Sequence, residues 1–162
     1  WVKAEEQFLK SLKSRESGSN DLDDEYFSSK CALIAAYFAQ EKFELAEKEI
    51  AATMMQVEDN MGKGSYHKAE LNYYLGSILL LKANYRGSDH AFRETQRLLK
   101  ACIGNQQSAL HYLFLLTSSK LAEKSLAQRR LEEAGFVYEK LIESLKRTEL
   151  DLQNSVWVSE IK

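Results

Sequence analysis

One pattern of residue size recurs four times along this chain. A small residue stands three positions after one large apolar residue and four positions before another. The four instances are Trp1–Ala4–Phe8, Phe43–Ala46–Ile50, Tyr85–Ser88–Phe92 and Leu131–Ala134–Tyr138, and their small residues are 42, 42 and 46 positions apart. A fixed period of about 20–50 residues indicates one supersecondary unit stacked on copies of itself. The pattern therefore predicts a repeat protein.

Helix-breaking residues are scarce. The 162 residues contain no proline and seven glycines, which favours an all-α fold. Hydrophobic residues make up 44% and charged residues 28%, so the chain can bury a core of one domain's size. A net charge of −2 argues against a nucleic-acid partner. The longest apolar stretch, around Leu75–Leu81, is too short to span a bilayer, so no membrane partner is expected.

Apolar residues spaced three and four positions apart predict a series of amphipathic helices. We expect them at 1–13, 27–39, 42–58, 66–82, 85–101, 107–124, 130–146 and 149–161. Short turns separate the two helices of a pair, and longer links at 14–24, 60–65 and 104–106 separate the pairs. No window shows the alternation that is typical of a strand. The chain is thus predicted to be a run of antiparallel helix pairs.

This helix series also predicts the repeat boundaries. Residues 1–13 are the second helix of a preceding repeat, and 149–162 are the start of a further one. Three repeats lie between them, at 26–59, 66–102 and 106–147. The chain begins without Met and stops within a predicted helix, so we interpret 1–162 as a single segment of a longer protein.

The residues that precede each small marker complete a family pattern. Thirteen, twelve and nine positions before Ala46 stand Leu33, Ile34 and Tyr37. The same positions before Ser88 hold Leu75, Gly76 and Leu79, and those before Ala134 hold Leu121, Ala122 and Ser125. The middle set, with Ser88 and Phe92, closely resembles a tetratricopeptide (TPR) repeat. The period exceeds the usual length of about 34, and the proline that commonly closes the unit is missing. The resemblance implies a right-handed superhelical solenoid of antiparallel helix pairs.

In such arrays the first helix of each pair lines a concave groove that binds a partner protein. The resemblance places the following residues in that groove: Ser28, Cys31, Ala35, Phe38, Glu70, Tyr73, Ser77, Leu80 and Ser119, together with Leu116 and Glu123. Phe38, Tyr73 and Leu80 would suit an apolar anchor from a peptide or helix. Internal packing of these side chains is the alternative. The Lys and Asn that grip a C-terminal carboxylate in TPR cochaperones are replaced here by Cys31, Ala35 and Tyr74, so that ligand is not expected.

No catalytic or metal-binding motif emerges from the sequence. The segment 62–65 lacks the upstream glycine and the hydroxyl residue after lysine that a phosphate-binding loop requires, so it is interpreted as a linker. His67, His90 and His111 are widely spaced and form no metal-ligand pattern. Cys31 and Cys102 are interpreted as small buried hydrophobes. We predict no enzyme activity, no cofactor and no metal.

Three classes of function remain open. The preferred one is a protein–protein interaction scaffold or adaptor that binds an apolar-anchored peptide or helix of a partner. The alternatives are a structural solenoid segment of a multisubunit assembly and a regulatory arm of an enzyme whose catalytic part lies outside the segment. Two cysteines and no Asn-x-Ser/Thr sequon fit a reducing compartment, which predicts an intracellular protein, cytoplasmic or alternatively nuclear. Exposed repeat ends would favour self-association.

Overall fold

A computed structural model describes residues 1–18, 22–61, 65–102 and 107–160, apart from the side chains of 16–18, 107–111 and 147–160. All regular secondary structure in these ranges is helical, which confirms the predicted all-α class. The helices are α1 (Val2–Gly18), α2 (Asp24–Ala39), α3 (Phe43–Met61), α4 (Tyr66–Leu81), α5 (Tyr85–Ala101), α6 (Gln107–Ala127) and α7 (Leu131–Glu160). They belong to two compact units, Trp1–Phe114 and Leu115–Lys162. No helix within the described ranges is both long and apolar enough to cross a bilayer.

Side-chain caps fix the starts of three helices. Asp23, Ser65 and Asn84 each accept a hydrogen bond from the backbone N–H three residues later, at 2.8, 3.2 and 3.1 Å. Such caps satisfy donors that have no partner within the first helical turn. Asp24 and Glu25 also lie in the first turn of α2, where negative charge suits the helix dipole. Helices α2, α4 and α5 therefore begin within three residues of their predicted starts.

Two helices extend well beyond their predicted ends. Helix α1 continues to Gly18 through residues predicted as loop, because no glycine or proline precedes that position. Helix α7 runs unbroken from Leu131 to Glu160, where the sequence predicts separate helices at 130–146 and 149–161. The residues between those two predicted helices, 147 and 148, are not helix breakers. Most of the predicted links at 60–65 and 104–106, including Gly62–Gly64, lie outside the described residues.

The three tight turns inside helix pairs share one geometry. Glu41, Ala83 and Arg129 adopt left-handed backbone conformations, with φ of 58°, 56° and 59°. In each turn the N–H of the following residue donates to the carbonyl five positions before it, at 2.8–2.9 Å. The N–H of the left-handed residue donates to the carbonyl three positions before it, at 2.9–3.0 Å. These two bonds define the Schellman motif that ends many helices. The three motifs recur at the same intervals as the small residues of the repeat pattern.

The turn geometry predicts that Ala83→Gly stabilises the protein by about 0.5–1 kcal/mol, since glycine adopts positive φ without a Cβ penalty. The control is Ala51→Gly in the exposed middle of α3, which should lower the free energy of unfolding by a similar amount. Urea unfolding followed by circular dichroism measures both. Equal destabilisation by the two variants would show that residue 83 is not left-handed.

Helices of the unit Trp1–Phe114 pack in chain order, α1 on α2, α2 on α3, α3 on α4 and α4 on α5. In addition, α2 packs directly against α4. The first helices of two successive pairs are therefore neighbours. This contact, which skips one helix, brings together residues that are far apart in sequence.

Small residues lie where paired helices approach most closely. Ala46, Ser88 and Ala134 are at most 1% exposed. A Cβ placed on Gly76 of α4 would lie 2.7 Å from the ring of Phe92 in α5, which is too close for any side chain. The backbone of α4 at Gly76 thus packs directly on the Phe92 ring of α5. Among the described residues, the largest side chains with less than 2% exposure are Phe27, Phe92, Leu33, Ile34, Ile50, Leu71, Ile78 and Leu98.

Candidate functional site

The residues predicted to line a groove lie on α2, α4 and α6 and differ widely in exposure. Ser28 is exposed, whereas Cys31 and Ser77 are buried. The other predicted residues are half-buried, namely Ala35, Phe38, Glu70, Tyr73, Leu80 and Ser119. Ser119 belongs to the unit Leu115–Lys162 and the rest to Trp1–Phe114. On α2 and α4, Ser28 is therefore the exposed member of the predicted set, and Ala35 and Leu80 are the half-buried members with aliphatic side chains.

The aromatic members of this set contribute to internal packing. The Phe38 ring lies 5.7 Å, centroid to centroid, from both Phe43 and Tyr74. The Tyr73 ring lies 5.4 Å from Tyr74 and 6.3 Å from Phe92. These separations are typical of stabilising aromatic pairs. Substituting Phe38 or Tyr73 would therefore disturb the core as well as any surface, which limits their use in binding experiments.

The buried serine of the set has its hydroxyl satisfied. Ser77 Oγ donates to the carbonyl of Tyr73 one turn earlier in α4, at 2.9 Å. A serine bonded in this way has no need of an external partner. Leu80, near the end of the same helix, is half-buried and is followed by the largely exposed Leu81. The apolar surface of α4 is thus concentrated at its carboxyl end.

Three side chains with metal-ligand chemistry meet between α2 and α4. Cys31 Sγ lies 3.9 Å from His67 Nδ1, and one oxygen of Glu70 completes a group whose ligand atoms are all within 4.8 Å of one another. Cys31 is 1% exposed and His67 5%, whereas Glu70 is half-buried. The described part of the chain holds no second group of three such residues at this spacing.

Asp24 fixes the orientation of His67. The imidazole Nε2 and Asp24 Oδ1 are 2.8 Å apart. Because an ionised carboxylate only accepts hydrogen bonds, the proton lies on Nε2, and the neutral ring then presents its Nδ1 lone pair. That lone pair is on the side of Cys31. The rings of Phe27 and Tyr66, 6.1 and 6.0 Å from the imidazole, further restrict its position.

The electrostatics of this cluster reflect burial next to a carboxylate. Burial raises the pKa of the Cys31 thiol well above its usual range, and the charge of Glu70 raises it further. Burial also raises the pKa of Glu70, against the opposing effects of a hydrogen bond with Cys31 and the charge of His67. The adjacent Lys30 and Lys68 pair with Glu49 and Glu58, at 2.6 and 3.3 Å. Without a bound cation, the thiol is therefore protonated near neutral pH.

On the sequence alone, Cys31 and Glu70 are placed in the predicted groove, and His67 is considered separately. His67 and Glu70 are three positions apart on one helix, a spacing that places them on the same face and that could have been noticed. Cys31 is 36 residues from His67, and only the packing of α2 on α4 brings it close. The remaining candidates do not join the cluster: His90 is exposed, and the His111 side chain is outside the described residues.

Comparisons of the chain with protein-family models, curated proteins and solved structures give no match. The tetratricopeptide resemblance therefore stays a prediction from the residues that carry it. Any functional argument rests on the geometry of the chain itself.

Proposed function

We propose that this chain is a protein–protein interaction module that binds a helix or extended peptide of a partner across the first helices of its pairs. The observation that carries the proposal is the direct packing of α2 on α4. The helical hairpins α2/α3 and α4/α5 have turns of the same Schellman geometry, and their first helices are adjacent. Hairpins arranged in this way can stack into the right-handed tetratricopeptide-type solenoid. In that arrangement the first helices form one continuous surface, as a binding groove requires.

The accessible face of α2 has a composition that suits such binding. Ser28, Ala32, Ala35 and Ala39 are spaced four, three and four positions apart, so they share one helical face. Two of them are exposed and two are half-buried. Small side chains allow a bulky apolar residue of a ligand to approach the helix closely, and Leu80 on α4 adds apolar area. The surface thus favours an apolar anchor over a charged one.

A structural role within a larger assembly is the second candidate. Helix α7 exposes Leu131, Phe136, Ile142 and Leu145, which are 69%, 60%, 49% and 46% accessible. Exposed large apolar side chains of this kind are typical of a surface that a neighbouring repeat or subunit covers. The third alternative, a regulatory arm of an enzyme, has no supporting observation in the described residues.

The double variant Ala35→Glu/Leu80→Glu tests the preferred proposal. A pull-down from lysate identifies candidate partners, and titration of the purified partner then measures affinity. Charges placed in an apolar interface should weaken binding by about 30-fold or more. The control is Leu45→Glu/Met55→Glu on α3, two exposed apolar residues that should tolerate the same change with affinity unaltered. Phe38 and Tyr73 are left intact because their rings support the core.

The outcomes separate the candidates as long as both variants keep the wild-type helicity and unfolding midpoint. A partner that is lost from the α2/α4 variant alone supports a groove-binding module. A partner that both variants retain would place the binding site on another surface. A wild-type chain that captures no specific partner would favour the structural role.

A further inference from the structure

We propose that Cys31, His67 and Glu70 form a binding site for a zinc ion, with Asp24 as the residue that positions His67. This inference shares the packing of α2 on α4 with the proposed function, but it does not require that the chain binds a peptide. It rests on the convergence of three different ligand types between two helices that are adjacent in space and distant in sequence.

The donor set points to the metal. Zinc in proteins is bound by cysteine sulfur, histidine nitrogen and carboxylate oxygen, usually in tetrahedral geometry. Magnesium and calcium take oxygen ligands almost entirely, so a thiolate and an imidazole in the same site disfavour them. One sulfur, one nitrogen and one oxygen donor within a buried cluster therefore match zinc better than a hard cation.

The spacing of the donors fits a zinc ion with small adjustments. Zinc–sulfur and zinc–nitrogen bonds of about 2.3 and 2.0 Å at a tetrahedral angle place the two ligand atoms about 3.6 Å apart. Cys31 Sγ and His67 Nδ1 are 3.9 Å apart, and all three donors lie within 4.8 Å of one another. Zinc binding would require the Cys31 Sγ–His67 Nδ1 separation to shorten by about 0.3 Å.

Asp24 supplies the outer contact that zinc-binding histidines usually have. A metal-bound imidazole typically donates its other N–H to a carboxylate or a backbone carbonyl, which fixes the tautomer and the direction of the ligand lone pair. His67 donates from Nε2 to Asp24 Oδ1 at 2.8 Å and leaves Nδ1 on the side of Cys31. The imidazole is thus already arranged as a ligand.

Zinc binding would join two helix pairs. Cys31 belongs to α2, whereas His67 and Glu70 belong to α4, so the ion would hold the two hairpins together. On binding, the Cys31 thiol releases one proton to solvent as the sulfur–zinc bond forms, and nothing is oxidised or reduced. Three protein ligands leave a fourth coordination position, which water can occupy next to the half-buried Glu70. The site would therefore act first as a structural link.

Cobalt(II) is the spectroscopic probe for this site. We expect the chelator-treated chain to bind one equivalent of Co²⁺ with a thiolate-to-cobalt charge-transfer band in the near ultraviolet and intense visible bands of tetrahedral cobalt. Zn²⁺ should displace the cobalt and abolish both signals. At a free zinc concentration of 100 times the dissociation constant, the thermal midpoint should rise by about 5–10 °C.

Four single variants test the proposed site: two replace ligands, one replaces the positioning residue and one is a control. Cys31→Ser should abolish the charge-transfer band, and Glu70→Gln should weaken cobalt binding by about tenfold or more. Asp24→Asn should retain the band but weaken binding by about 10–100-fold, as expected for a positioning residue. Cys102→Ser is the matched control, since it removes the other thiol, and both its spectrum and its affinity should equal those of the wild type.

The wild-type spectrum alone can overturn the proposal, so the test does not depend on every variant folding. The proposal would be overturned if the folded wild-type chain gave no charge-transfer band with Co²⁺. A band that survives Cys31→Ser, or one that disappears in Cys102→Ser, would also contradict the assignment. Far-ultraviolet circular dichroism establishes which variants are folded before their spectra are compared.

Discussion

Replacing Phe92 by alanine is expected to lower the free energy of unfolding of the unit Trp1–Phe114 by about 3–5 kcal/mol. Phe92 is fully buried, and its ring meets the Gly76 backbone of α4 and lies 6.3 Å from the Tyr73 ring. The variant loses the transfer free energy of the ring and leaves a cavity that the surrounding helices fill only in part. Since the total stability of a domain is about 5–15 kcal/mol, this change removes a large fraction of it.

Urea unfolding, followed by far-ultraviolet circular dichroism, measures the effect of Phe92→Ala. Met55→Ala is the control within the same unit, because Met55 is 71% exposed and its truncation should change stability by no more than about 0.5 kcal/mol. A loss below about 1 kcal/mol for Phe92→Ala would contradict the packing of this ring between α4 and α5. It would also remove the physical basis for the large residue that follows each small one in the repeat pattern.

Local regularities predicted the helix pairs well, because their determinants lie close together in sequence. The extent of α5 agrees with the prediction at both ends, and its Asn84 cap and Schellman turn involve only neighbouring residues. Helix α1 was predicted too short because a polar stretch that contains Gly18 was interpreted as a loop, and α7 was predicted as two helices on either side of a repeat boundary. A helix continues through such a stretch or boundary as long as every residue tolerates helical geometry.

The sequence predicted the candidate site less completely, since it defines helix faces but not the distance between faces of different helices. The face of α2 that carries Ser28 and Ala35 was predicted from the tetratricopeptide resemblance, which refers to positions along a single helix. The contact between Cys31 and His67 depends on the axial position of α2 relative to α4. A shift of one helical turn, about 5.4 Å, would separate the two side chains. The same limit applies to Tyr73, whose contact with Phe92 joins it to the core.

The second large effect is expected at Gly76. Alanine is favoured over glycine inside a helix by about 1 kcal/mol, so propensity alone predicts that Gly76→Ala stabilises α4. A Cβ at this position would lie 2.7 and 2.8 Å from two atoms of the Phe92 ring, and that ring has no exposed surface towards which it can move. Overpacking of this kind costs about 1–3 kcal/mol. The clash should therefore outweigh the propensity gain, with a net loss of up to about 2 kcal/mol.

A double-mutant cycle with Phe92→Ala isolates that clash. Once the ring is removed, Gly76→Ala should become stabilising, because only its helix propensity remains. Gly135→Ala in α7 is the matched control: apart from its chain neighbours and the backbone of its own helix, no atom of the described residues lies within 4 Å of the added Cβ, so it should stabilise by about 0.5–1 kcal/mol. If Gly76→Ala stabilised the wild-type chain as Gly135→Ala does, α4 and α5 could not approach as described. If Gly76→Ala destabilised the wild-type chain but stabilised the Phe92→Ala variant, residues 76 and 92 would be energetically coupled. Such coupling is a physical reason for the fixed spacing of small and large residues in the repeat.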